Sequence, residues 1–182
     1  MELNYDIKKY ITNELLARVD SRGLIKYLEE SGFYEAPASK AHHGNYRGGL
    51  FEHSLQVTSN LVRMTACMRL HWERKESPAI VGMLHDLCKV DMYNIMTEER
   101  EGEPVEVITY NKNQELIGHG DKSCIIALKY IDLTDEEMMC IRYHMGAFVK
   151  EDAEAYSRAA GAFPNVIWTH TADMIAAQVN GV

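Results

Sequence analysis

No stretch of the chain is apolar for long enough to cross a membrane, and its opening, MELNYDIKKYITNELL, has acidic residues from the second position and no continuous hydrophobic segment of the kind a secretory signal carries. A cytoplasmic protein is expected. Cysteine is thin: Cys67, Cys88, Cys124 and Cys140 stand far apart with no CxxC pair, which argues against a disulfide framework and against a cysteine-type zinc site. They are expected as reduced, half-buried small side chains. Positive charge is short as well, with 19 Lys and Arg against 27 Asp and Glu and a formal net charge of −8. Binding to long nucleic acid depends on neutralising many phosphates, so that partner class is disfavoured. A small anionic substrate stays compatible where metal ions supply the positive charge. A Ser/Gly/Pro-rich linker, an internal repeat and a low-complexity tract are all missing, so residues 1–182 read as one domain, large enough to bury a real core.

What is present is helical periodicity. Apolar residues recur at helical spacing at Ile7, Ile11 and Leu15, at Leu24, Ile25 and Leu28, at Leu55, Leu61 and Val62, and at Ile80, Met83, Leu84 and Leu87. The expected class is an all-α bundle, with helices in residues 1–30 packing on the rest. Ser77 before Pro78 reads as a cap and first-turn proline, Thr134 to Glu137 as a capping box, and Asp121 as a cap for KSCIIALKYI. Two segments break the pattern. Residues 31–49 are rich in Gly, Pro and Ser and predict an ordered loop. Residues 92–110 predict a short β-hairpin, with MYNIM and VEVITY flanking TEEREGEP, whose edge strand could pair with a second subunit in a homodimer.

Within VGMLHDLCKV a histidine and an aspartate stand side by side on an otherwise apolar helix. Alone, such a pair is more often a core histidine with a hydrogen-bonded partner. Here it belongs to a series: His53, His85, Asp86, His119, His144 and Asp173 recur at intervals of roughly 25 to 35 residues. That is about one helix plus loop each, a spacing that lets separate helices aim one ligand each at a shared centre. Imidazole with carboxylate suits Zn, Mn, Fe, Co or Ni. Adjacent residues on a helix point about 100° apart, so His85 and Asp86 cannot both serve one ion without strain unless the carboxylate bridges two. A structural zinc site alone needs only four ligands, often with cysteine.

These residues resemble the signature of the HD-domain superfamily of metal-dependent phosphohydrolases, from about FYEAPAS to ADMIAA. The two further histidines resemble its two-metal branch. HHGNYRGGLFEHSLQV is similar to the matching segment of HD-type 3′-5′ exoribonucleases, and GHGDKS and IRYHMG to segments of bacterial and phage-borne HD hydrolases. The resemblance implies a helical bundle in which His53, His85, Asp86 and Asp173 hold one divalent transition-metal ion, and Asp86 bridges to a second held by His119 and His144. It implies hydrolysis of a phosphodiester or phosphomonoester of a nucleotide or short oligonucleotide by a metal-bridged hydroxide, the ions about 3.5 to 4 Å apart. The exoribonuclease relatives carry an added oligonucleotide-binding domain that has no counterpart in this length of chain, which disfavours processive RNA degradation. The same six ligands also resemble the mixed-valence di-iron oxygenases on the HD scaffold, and a catalytically silent nucleotide-binding module is a third alternative.

Lys89 completes the HDxxK pattern, which implies contact with phosphate or transition state and makes it, with Asp86, a candidate catalytic residue; a solvated lysine at a helix end is the plainer reading. Arg47, in a Gly-rich turn, could grip a phosphate or be an ordinary surface arginine. Lys122 stands at a helix N-terminus that attracts anions, and His43 lies near Arg47. Both are candidate substrate contacts. His170, one turn before Asp173, reads either as an outer partner of the site or as a buried histidine. Tyr46, Phe33 and Phe148 are candidates for base stacking, though each is more often core.

Overall fold

The computed structural model describes residues 3–19, 23–148 and 153–182. They form a mostly helical body with one small antiparallel sheet. Helix α1 (Tyr5–Leu16) begins at Asn4, whose side chain accepts the Ile7 N–H at 2.9 Å. Its buried face is Lys8, Thr12 and Leu16, one position on from the expected Ile7 stripe, and Ile7 is exposed. The shift has a polar cause. The Lys8 ammonium crosses the Phe51 ring and donates to the Tyr34 carbonyl at 3.2 Å, so its stem fills the interface while its charge stays satisfied.

Helix α2 (Leu24–Glu30) leads into the irregular segment 31–48, where Phe33, Tyr34 and Ala38 are buried and the Ala38 N–H donates to the Gly44 carbonyl. It is ordered, as its composition predicted. Helix α3 (Gly49–Met68) packs against α4 (Ser77–Leu84), whose Ile80, Met83 and Leu84 are fully enclosed, and against α8 (Asn165–Met174). Ser77 is the first residue of α4 and not its cap; Glu76 holds that position, and the Ser77 hydroxyl donates instead to Glu137 at 2.8 Å. A 3-10 turn, Leu87–Asp91, then feeds β1 (Tyr93–Arg100), which pairs with β2 (Glu103–Tyr110). The strands are longer than the alternation suggested, because the link shrinks to Glu101 and Gly102, with φ of 52° and 84°. Two successive positive-φ residues make the tight turn whose twist suits a hairpin.

Helix α5 (Gly120–Leu128) packs on α6 (Asp135–Arg142), which opens with the expected Thr134/Glu137 capping box. Asp121 does not cap α5. It pairs with Arg142 across the helix interface, and His119 holds the cap position. Helix α7 (Ala153–Ala162) packs on α8, whose end unwinds into a π-helical turn, Ile175–Asn180. Among the described residues no helix is long and apolar enough to cross a membrane.

Candidate metal centre

Two close helix contacts bring the polar residues together. At Gly82 a Cβ atom would fall 2.4–2.5 Å from Thr58, so α4 lies directly on α3 just before His85 and Asp86 reach His53. At Gly120 a Cβ would fall 2.1 Å from the Arg142 carbonyl, so α5 starts against the end of α6, with His119 and His144 flanking the contact. The His85–Asp86 pair does not sit inside a continuous helix. Helix α4 ends at Leu84, His85 caps it, and Asp86 adopts φ −108°, ψ 21° before the 3-10 turn. That break releases the pair from helical spacing and turns the carboxylate into the body of the protein.

Asp86 becomes the hub. Its Oδ2 lies 3.5 Å from His53 Nε2, 3.4 Å from His85 Nε2 and 2.6 Å from Lys89 Nζ. Its Oδ1 lies 3.0 Å from His119 Nε2 and 3.5 Å from His144 Nε2. Asp173, from α8, reaches His53 Nε2 at 3.1 Å. The two oxygens of one carboxylate thus face two separate histidine pairs, and Asp173 joins the first.

The imidazoles carry a further sign of purpose. His53 Nδ1 lies 2.8 Å from the Val182 main-chain oxygen, His85 Nδ1 2.9 Å from the Gly82 carbonyl and His144 Nδ1 2.7 Å from the Ile141 carbonyl. Those oxygens can only accept, so each Nδ1 carries the proton, and in the neutral ring Nε2 is left with a lone pair. His53 and His85 then set two lone pairs 3.2 Å apart, an arrangement that repels unless a proton or a cation lies against both. Asp86 Oδ1, His119 Nε2 and His144 Nε2 are buried and make no well-aligned hydrogen bond, although they approach one another closely. Buried polar atoms are nearly always paired, so a converging set without partners fits a bound cation. Among the described residues His53, His85 and Asp86 form one group able to hold a metal ion, and Asp86, Cys88 and His119 another.

Electrostatics agree in direction. Burial alone raises the Asp86 carboxyl, but the Lys89 ammonium, His85 and the contacts of His119 and His144 outweigh it, holding it well below the carboxylate range. Asp173 is lowered against its own burial, by His53 first. Burial keeps His85 and His119 neutral, and pushes His43 down to about 4 with help from His53 and Lys89. His144 is raised, because Asp86 outweighs its desolvation. Two carboxylates face one ammonium here, with His43, His85 and His119 held toward their neutral forms.

All six expected ligands meet here, and Lys89 and His43 join them. A cleft of ≈ 380 Å³ opens over the cluster, bordered by Asp86, Lys89 and His43 with Tyr93 and Tyr110 from the hairpin base. Arg47 and Lys122 are not brought to it. Arg47 pairs on the surface with Glu35 and Glu106, and the Lys122 ammonium is buried against Asp91 and Gln114. Phe33 is core, the Tyr46 hydroxyl donates to Glu52, and the side chain of Phe148 falls outside the described residues. His170 Nδ1 lies 2.7 Å from the His144 carbonyl and so steadies the backbone that carries His144. Sequence reasoning missed Cys88, whose Sγ lies 3.4 Å from His119 Nδ1, and the Tyr93/Tyr110 pair; neither has a spacing signal in the chain.

Comparison with known proteins finds no matching family model, no matching curated protein and no matching solved structure. Fold and site together define a mostly helical protein with a buried His/Asp cluster able to hold metal ions.

Proposed function

We propose that this protein is a metal-dependent phosphohydrolase of the HD type, acting on a phosphodiester or phosphomonoester of a small nucleotide-like substrate. The observation that carries the reading is the hub: one buried carboxylate offering its two oxygens to two histidine pairs, with three rings held in the ligand-competent tautomer by main-chain oxygens. His53, His85, Asp86 and Asp173 are the residues that would hold one divalent ion, and Asp86, His119 and His144 a second. When bound, such ions supply Lewis-acid polarisation of a phosphate and activation of water. The chain itself contributes the rest. Lys89, at the cleft floor, places a fixed positive charge where a phosphate oxygen enters, and the Tyr93/Tyr110 wall limits the space for the remainder of the substrate.

The test is hydrolysis of bis-p-nitrophenyl phosphate and p-nitrophenyl phosphate by the purified protein with Mn²⁺, using Asp86→Ala as the control for contaminating enzyme. Nitrophenol release by wild type alone supports the reading, and the preferred ester separates diesterase from monoesterase. If both esters stay intact while the protein retains two irons, the di-iron oxygenase alternative replaces it.

A further inference from the structure

Three of the four clustered histidines are locked by acceptors that cannot donate; His119 is the exception. Its Nδ1 faces the Cys88 thiol at 3.4 Å. A thiol both donates and accepts, so this contact allows two tautomers. With Nδ1–H donating to sulfur, the Nε2 lone pair is free for a cation. With S–H donating to Nδ1, the proton sits on Nε2, 3.0 Å from Asp86 Oδ1. The thiol cannot drift away from the ring, because the Cys88 N–H donates to Ser123 Oγ at 3.0 Å, and Ser123 belongs to α5, the helix that His119 caps. His119 is also the most open of the four rings, with 28% of its side chain exposed against 0–1% for the others, and it borders a second pocket beside Gly118 and Tyr143. Its Nε2, His144 Nε2 and Asp86 Oδ1 are among the buried side-chain atoms of the described residues that make no well-aligned hydrogen bond.

We infer that Cys88 is a positioning residue for His119, and that the His119/His144 half of the centre, where one ring is held by this two-way contact, is the weaker, exchangeable cation site. Cation binding there selects one of two His119 tautomers, the one with its proton on Nδ1, whereas the His53/His85 half is already set. Cys88 acts through its sulfur lone pair, which accepts Nδ1–H in the cation-bound form. This inference rests on the metal-binding reading above.

Two measurements on the full chain decide it. The first is competition of Zn²⁺ against a chromophoric chelator with wild type, Cys88→Ala, Cys88→Ser and, as a buried thiol away from the cluster, Cys140→Ala. Wild type binds two Zn²⁺ with unequal affinity. Cys88→Ala weakens the looser event by about 10- to 100-fold, the usual effect of removing an outer partner of a ligating histidine, and leaves the tighter one unchanged. Cys88→Ser recovers part of the loss, and Cys140→Ala changes neither event. The second is ¹⁵N NMR of the imidazoles, in which metal-free His119 shows averaged tautomers and moves to Nδ1–H on Zn²⁺ addition, while His53, His85 and His144 show Nδ1–H throughout. Two events unchanged in Cys88→Ala, both weakened equally, or a single fixed His119 tautomer in the metal-free protein overturns the role of Cys88 while leaving the metal centre standing. A wild type that binds no Zn²⁺ overturns the metal reading and this inference with it.

Discussion

Asp86→Asn keeps the shape of the hub and removes its charge. In the folded protein Asp86 Oδ2 and Lys89 Nζ are 2.6 Å apart, with 2% and 10% of their side chains exposed. At an effective dielectric of about 20 that contact is worth about 6 kcal/mol of gross attraction. Desolvation of both ions consumes much of this. Breaking such a pair from one side still costs about 3–5 kcal/mol, because the remaining charge is stranded. Lys89 is held above its usual value with Asp86 as the charge that outweighs its burial, so this stability is complete at neutral pH. Urea unfolding in excess chelator at pH 7.5 is therefore expected to show a loss of about 3–5 kcal/mol for Asp86→Asn. The double variant Asp86→Asn/Lys89→Met should recover part of it, because the stranded ammonium is gone. With Mn²⁺ present, elemental analysis should find both ions lost from Asp86→Asn, whereas His144→Ala loses only the second. A single variant within about 1 kcal/mol of wild type, or one that keeps either ion at full occupancy, would refute the shared-carboxylate reasoning.

Lys89→Met should reduce kcat for the nitrophenyl esters by more than about tenfold with bound metal unchanged; unaltered kcat removes Lys89 from the chemistry. Glu137→Ala should cost about 3 kcal/mol by urea unfolding, since the buried carboxylate accepts from Arg74, Ser77 and the Thr134 N–H, and the figure sits at the low end because Arg74 keeps 33% of its side chain in solvent. A stable Glu137→Ala would show this network to be incidental. In chelator, stability should fall as pH drops from 6.5 toward 4: His43, His85 and His119 refuse protons that the unfolded chain accepts, and of the shifted rings only His144 acts in the opposite direction. Urea midpoints that stay flat or rise over that range contradict the assignment.

The sequence by itself determined the helical class, the capping box, the hairpin and the six His and Asp residues that cluster around Asp86. Each is a local or periodic property: Ile80, Met83 and Leu84 recur at helical spacing and are buried in α4, Thr134 and Glu137 satisfy neighbouring N–H groups, and six His and Asp side chains recur at the spacing of separate helices. Ser77 and Asp121 were misjudged as caps because each has a better partner far along the chain, Glu137 and Arg142 respectively, and no local rule sees across that distance. Arg47 and Lys122 likewise pair with carboxylates away from the cluster, Arg47 with Glu35 and Glu106 and Lys122 with Asp91. Only the tertiary structure decided which oxygen of Asp86 faces which histidine pair, that Cys88 stands behind His119, and that the hairpin base walls the cleft. Those relations depend on the end of α4 at Leu84 and on the tight crossings at Gly82 and Gly120, where backbone meets side chain or backbone with no room for a Cβ. Packing between distant segments sets such distances, and spacing along one chain carries no record of them.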